Sequence, residues 1–446
     1  MDHQDVELLV VGAGPSSLAV AIAVEEMAPC DFARAALVVE QHDDIAWQRG
    51  MLLPHAQSQV SFLKDLVTLR NPRSRFSFIN YLHSVGRLDD FINCGSLLPY
   101  RAEISDYLAW VADSLSTVRV QRGRRCTGFE PVTDRDGTQT GWLVRLADGA
   151  TITARTLVVG AGRDAHIPDV FGALPKERLI HSSQYAMRAG ELDPATTRRV
   201  VVVGAAQSAA ELLSHAHQTL PDAECTMVMR TAGLSYYQTS RFLNELYFPS
   251  FTDEFYEARP QAKTALLAEM RTTNYAGVAP DMLDAIYRTM YVERLTARQR
   301  MRMVTMVDVV AAKEIDGEVR LTLVERRTGL SRELRCDVVL LGTGFHHGPP
   351  SLVRGIADAA GVDEVRVGRN YRMITPPSVT AACYLQGVNE QTHGIADSLI
   401  SVLAVRAGEI VADVLANRRP ANGLADATQP DHRSTQWTSV NSTAAL

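Results

Sequence analysis

A chain of 446 residues with 46% hydrophobic content is long enough for two or three domains with sizeable buried cores. Its net charge of −6 excludes a general attraction to nucleic acid or acidic lipid. Six scattered cysteines (Cys30, Cys94, Cys126, Cys225, Cys336, Cys383), none in a C-x-x-C pair, argue against a disulfide framework, a zinc cluster and a redox dithiol. No apolar run reaches membrane-spanning length, and the chain enters its first strand almost at once, leaving no room for a signal peptide. The expected setting is the reducing cytoplasm.

In chain order, Val6–Val11 reads as a buried strand, Gly12-Ala13-Gly14 as a tight turn and Pro15 to Glu26 as a helix, with a second strand over Ala36–Glu40. A strand ending in such a turn aims backbone N–H groups and a helix N-terminus at a pyrophosphate. Glu40 closes the second strand, where a carboxylate bonds a ribose 2′-hydroxyl, so this unit is read as a site for FAD or NAD. The alternative is a solvated strand-end carboxylate. Residues 44–110 read as polar loops and amphipathic helices, the last around 104–115. A strand and hairpin region follows over 118–144, then the buried strand Thr156–Val159 with a glycine exit at Gly160-Ala161-Gly162. The proline-bearing stretch 163–197 is a crossing between domains.

A second unit takes 199–230: strand, turn at Gly204-Ala205-Ala206, helix, and a strand ending in Arg230 rather than an acid. Arginine suits a 2′-phosphate that a carboxylate would repel, so this site is read as holding NADPH. Ala206 puts a methyl group at the middle glycine position, which either lowers affinity or moves the loop slightly outward. Two such units imply that one dinucleotide hands electrons to another. Residues 240–300 are mostly helical, 319–324 and 334–340 form a hairpin whose second arm re-enters the first domain, and an amphipathic helix spans about 398–417.

A longer stretch is more specific: Met51-Leu52-Leu53, then Gln59-Val60-Ser61-Phe62-Leu63-Lys64-Asp65-Leu66 running on through Leu69-Arg70-Asn71-Pro72-Arg73-Ser74. With Trp47, Thr273-Asn274-Tyr275 and Gly387-Val388-Asn389-Glu390-Gln391-Thr392-His393-Gly394 through Ser401, it closely resembles the flavin-dependent N-hydroxylating monooxygenases. Within them it is most similar to the L-ornithine N5-monooxygenases, with the lysine N6-hydroxylases as a related branch. The resemblance covers residues 5 to about 415.

It implies an α/β fold of two Rossmann-like dinucleotide-binding domains, the NADPH domain (191–334) inserted in the FAD domain (1–190 and 335–415). A small helical substrate region lies over 240–300; from composition rather than resemblance, 416–446, rich in Asn, Ser, Thr, Ala and Pro, is expected to be a disordered tail. It implies FAD and NADPH as cofactors, an amine substrate with O2, oxidation through a flavin C4a-hydroperoxide, a role in siderophore or related natural-product biosynthesis, and a homo-oligomer, often a tetramer. By resemblance Lys64, Asn244 and Ser401 hold the amino-acid end of the substrate, where charge-assisted donors suit a carboxylate leaving water. Asn274 lies between nicotinamide and substrate. Gly12, Gly14, Pro15, Glu40, Trp47, Gln59 and Leu399 face FAD, and Gly204, Gln207, Ser208, Arg230 and Asn274 face NADPH, with Asn274 and Gln59 nearest the chemistry.

Each residue keeps an ordinary reading beside the functional one. Lys64 could pair with Asp65 in solvent, Asn244 could cap a helix, and Ser401 could be a small packing residue. The twelve histidines suggest no metal site, since His215 and His217 diverge on a helix and His346-His347 sit in a loop. Two departures from the family pattern stand out: Gln48-Arg49 after Trp47, and Gln238-Thr239-Ser240-Arg241 before Asn244. Arg241 either faces solvent or enters the pocket and alters the substrate, so L-lysine or another diamine is the alternative to L-ornithine. A flavin-binding protein without hydroxylase activity, its NADPH site weakened by Ala206, is a further alternative.

Overall fold

The computed structural model describes residues 2–237, 240–274 and 277–418, the side chains of Thr272 and Asn274 excepted. The substitution at Gln238-Thr239, Tyr275 of the family motif and the tail from 419 lie outside the described residues.

Fifteen strands are described: β1 (His3–Val11), β2 (Ala36–Val39), β3 (Arg119–Gln121), β4 (Cys126–Thr133), β5 (Gln139–Leu146), β6 (Thr151–Val159), β7 (Leu179–His181), β8 (Arg199–Val203), β9 (Glu224–Val228), β10 (Met301–Val304), β11 (Val307–Ile315), β12 (Glu318–Glu325), β13 (Ser331–Cys336), β14 (Val338–Leu341) and β15 (Ala382–Leu385). The first sheet runs β3-β2-β1-β6-β5-β4. β6 is shared along its length, pairing β5 antiparallel through 151–154 and β15 parallel through 156–159. In β1, Leu8 and Val10 enter one core and Leu9 and Val11 the other, the two-residue period of a sheet covered on both faces.

The second sheet, β10-β9-β8-β14-β7, is wholly parallel. All its strands lie in the chain between β6 and β15, so the second Rossmann-like unit is inserted in the first. A three-stranded antiparallel sheet, β11-β12-β13, packs beside it, joining Val319, Leu321 and Leu323 to Val201, Val339 and Leu341 in one core.

Three sequence-based boundaries move. The arm expected to re-enter the first domain from residue 335 does not: Val338–Leu341 is apolar on both faces and pairs parallel with β8 and β7 in the second sheet. β7 belongs there too, although 1–190 was assigned to the first domain. The last helix is Leu403–Ala416 rather than one starting near 398. Gly394 at φ +83° and the extended Leu399 break the chain into 3₁₀ turns over Ile395–Ser398 and Ile400–Val402. The expected helical region is four helices, Arg241–Asn244, Ser250–Glu257, Pro260–Asn274 and Pro280–Leu295.

Candidate active site

The first glycine turn lies at the C-terminal ends of parallel strands, the edge where α/β sheets bind ligands. Gly12 takes φ +88°, and a Cβ there would stand 2.9 Å from the Gly160 carbonyl oxygen, so the turn and the β6 exit touch backbone to backbone. Gly14 is extended and precedes the helix Pro15–Met27 without a side-chain cap. A Cβ on Gly14 would meet nothing within 4 Å, which leaves open space before uncapped N–H donors. The Glu40 carboxylate accepts from the Ala13 N–H at 2.8 Å and the His42 N–H at 3.0 Å, so it is tied to the turn rather than free in solvent. Trp47 packs half-buried on the same core, its backbone N–H donating to Ser105 Oγ at 3.0 Å.

The second turn repeats the plan. Gly204 has φ +145°, and a Cβ there would lie 2.5 Å from the Gly342 carbonyl oxygen. The helix Gln207–Thr219 starts after an extended, uncapped Ala206. Ser208 is half-buried in the first turn of that helix, and Arg230 is exposed at the end of β9, with no carboxylate partner among the described residues. Gln207 is held from within the chain: its Nε2 donates to Glu211 Oε1 and its Oε1 accepts from the Ala279 N–H, each at 2.8 Å. Both ends of its amide therefore work within the chain.

Between the turns, three distant segments converge. The 3₁₀ turn Phe62–Lys64 packs against Ile400–Val402, bringing Lys64 and Ser401 into neighbouring turns. The turn Glu245–Tyr247, directly after Asn244, packs against Ile395–Ser398. Lys64 Nζ lies 4.2 Å from the centre of the Phe248 ring, and burial lowers its pKa. The Lys64–Asp65 ion pair is absent. Asp65 is buried and accepts from Val67 N–H, Thr68 N–H, Thr68 Oγ1 and Phe78 N–H at 2.6–3.0 Å, which holds the loop and leaves Lys64 without a carboxylate partner among the described residues. Burial raises the Asp65 pKa and those four donors oppose the rise.

Ser401 is buried, and its Oγ has no partner among the described residues. Asn244 ends a short helix, is exposed, and its side chain caps nothing. Arg241 is exposed, as is Asn244 three residues on. Gln59 is exposed between Ser58 and Val60, which line a small cavity with Pro15, Lys64 and Ile400. That cavity joins the first helix turn to the lysine. Leu399 is half-buried against the cluster of Tyr247, Met270, Ile395 and Val402. The helix Pro260–Asn274 reaches this cluster through Met270, with Thr273 hydrogen-bonded to the Tyr247 hydroxyl, so the backbone of Asn274 ends beside it.

Two groups escaped the sequence reading. Gln386 follows β15, its N–H bonded to Val159 O, and its buried amide has no partner among the described residues. Arg101 and Glu211 form a buried two-pronged ion pair at 2.6 and 2.8 Å. The available signal was Glu211 itself, a carboxylate among apolar neighbours one helical turn after Gln207.

Comparison with known proteins gives the family and the overall fold. Residues 4–347 match the family described as L-lysine 6-monooxygenase/L-ornithine 5-monooxygenase. An L-ornithine N(5)-monooxygenase of Burkholderia cepacia is 38% identical over 400 residues, spanning 87% of this chain and 89% of the relative. The ornithine hydroxylase of Pseudomonas aeruginosa has a similar solved structure, with TM-score 0.85, 34% identity and coverage of 93% of this chain and 99% of that one. An ornithine N-hydroxylase of Kutzneria sp. 744, solved with reduced FAD, NADP+ and L-ornithine, gives TM-score 0.85 at 33% identity, covering 92% and 99% of the two chains.

Proposed function

This chain belongs to the L-lysine 6-monooxygenase/L-ornithine 5-monooxygenase family, and from that premise we propose that it N-hydroxylates the side-chain amine of L-ornithine with FAD, NADPH and O2. The observation that carries the reading is the convergence of the Lys64 and Ser401 turns, a lysine without a carboxylate partner beside a buried hydroxyl without an acceptor. A substrate α-carboxylate supplies what both lack.

The residues present fit the two cofactors. The open space at Gly14, the uncapped helix behind it and the tethered Glu40 suit the pyrophosphate and ribose of FAD. The uncapped helix after Ala206 and the exposed Arg230 suit NADPH. When bound, FAD would carry two electrons from NADPH to O2, one of whose oxygen atoms the amine acquires while the other leaves as water.

The chain binds, orients and excludes water. Lys64 and Ser401 hold the carboxylate, Asn244 holds the remainder of the amino-acid head, and the side-chain amine is thereby aimed toward Gln59, Asn274 and the flavin side. Apolar walls from Val60, Phe62 and Ile400 keep water from the amine and favour its neutral, nucleophilic form. A cytoplasmic location, a homo-oligomeric state and a place in siderophore or related biosynthesis belong to the same proposal and are supported by family likeness.

The test measures NADPH oxidation and hydroxylamine formation with L-ornithine, L-lysine, 1,4-diaminobutane and shorter diamino acids. Coupled hydroxylation is expected with L-ornithine, and peroxide in place of hydroxylamine with the diamine, which lacks the carboxylate. Equal coupling with diamine and amino acid would overturn the clamp. NADPH oxidation that yields peroxide alone with every amine would overturn the substrate.

A further inference from the structure

Glu211 stands at a junction that the nucleotide turns do not explain. It lies one turn inside the helix Gln207–Thr219 and is buried. Its Oε2 accepts from Arg101 Nη1 at 2.6 Å, and its Oε1 accepts from Arg101 Nη2 and Gln207 Nε2, both at 2.8 Å. Arg101 opens the helix Arg101–Ser114 of the first domain. Its guanidinium also donates to Met51 O at 3.2 Å, and its own N–H bonds Ala56 O at 2.9 Å. The segment so fixed runs directly into Gln59 and Lys64. On the other side, Gln207 accepts from the N–H of Ala279, which caps the helix Pro280–Leu295 soon after Asn274. One carboxylate thus joins the flavin-side loop, the second glycine turn and the helical substrate region.

An apolar pair of similar volume would hold two domains together at least as well, because desolvation offsets most of the attraction in a buried ion pair. What the two-pronged guanidinium–carboxylate contact adds is direction, a fixed relative angle that apolar packing does not impose. We propose that Glu211 is a positioning residue for the reduction of FAD by NADPH: holding Arg101 and Gln207 at once, it sets the second glycine turn, and the nucleotide on it, against the flavin-side loop. The proposal rests on the functional reading above. It also gives Gln207 its place, since the amide is oriented by Glu211 before any nucleotide arrives.

The test compares the FAD-loaded parent protein with Glu211→Gln and with the double variant R101M/E211L, which removes both charges and leaves no unpaired ion. Three readouts are taken: FAD content from the visible flavin absorbance, NADP+ dissociation constant by calorimetry, and the rate of flavin bleaching by NADPH against that by dithionite. We expect both variants to keep FAD and the parent's dithionite rate, to bind NADP+ more weakly, and to bleach with NADPH about tenfold to a hundredfold more slowly. A double variant that holds FAD, binds NADP+ and bleaches with NADPH as the parent does would overturn the proposal, leaving the pair a packing element. A parent protein that neither binds NADP+ nor bleaches with NADPH would overturn the functional reading, and this proposal with it.

Discussion

The two glycine turns share a skeleton and differ in how their polar groups are held. In each, a glycine of positive φ rests on the carbonyl of a second glycine at the exit of the neighbouring parallel strand, Gly12 on Gly160 and Gly204 on Gly342. In each, a helix opens without a side-chain cap. The first has a free Gly14 and a carboxylate already bonded to the turn's own backbone. The second has the methyl of Ala206 and a guanidinium standing in solvent. On the proposed function, the first site is organised before its ligand arrives, and the second completes itself when the nucleotide brings the missing anion. This is the contrast expected between a resident cofactor and one that exchanges at each turnover.

The sharpest way to break the contrast is Gly12→Ala. It forces a side chain into φ +88° and against the Gly160 carbonyl, a strain of about 1–3 kcal/mol at the point of closest packing. The purified protein is expected to lose its flavin absorbance and melt at a lower temperature, and retention of both would mean that the turn relaxes freely. Next in size is Arg230→Ser, which removes a charge-assisted contact of about 2 kcal/mol. KM for NADPH should rise about tenfold or more while flavin content stays at the parent level, and the preference over NADH should collapse. An unchanged preference would place 2′-phosphate recognition elsewhere.

The substrate end follows the pre-organised side of the comparison. Lys64→Met is expected to raise KM for L-ornithine about tenfold and to leave KM for 1,4-diaminobutane as it was. Burial lowers the Lys64 pKa, so its charge is lost sooner as pH climbs, and KM for the amino acid should rise on the alkaline side. The substrate ammonium, with a free pKa of about 10.4, sets the opposite limb, with product formation falling below about pH 8. Initial rates across pH with both amines would separate the limbs; a diamine that showed the same alkaline limb would remove Lys64 from that role. The smallest effect belongs to Ala206→Gly, which should tighten NADPH binding modestly and leave FAD untouched. No change in the NADPH dissociation constant would mean that the loop already stands clear of the pyrophosphate.

Local pattern carried the elements that are buried on both faces. The runs ending at Gly12, Gly160 and Gly204 read correctly because an unbroken apolar strand followed by glycine permits few other structures. The same kind of run at Val338–Leu341 was read as a strand yet sent to the wrong sheet, since nothing in four apolar residues states which neighbour they pair with. The segment 398–402 misled for the opposite reason. Its apolar spacing suits a helix, and the packing of Gly394 against Phe255 with the extended Leu399 breaks it into 3₁₀ turns. Lys64 beside Asp65 looked like a surface pair until the burial of Asp65 and its four donors separated the two roles.

By itself the sequence determined two nucleotide units, the acid-versus-arginine difference between them, and a family motif dense enough to nominate Lys64, Asn244 and Ser401. Those follow from short-range rules: glycine where a backbone must turn or touch, charge where a ribose or phosphate ends, apolar period where a sheet is covered. The tertiary structure alone decided that Lys64 has no carboxylate partner, that Gln207 is occupied within the chain, and that Arg101 and Glu211 meet across the two domains. Arg101 with Glu211 and Gln207 with Ala279 are far apart in the chain and leave no periodicity to read, while the local bonds of Asp65 and Glu211 show only once the fold has buried the two carboxylates.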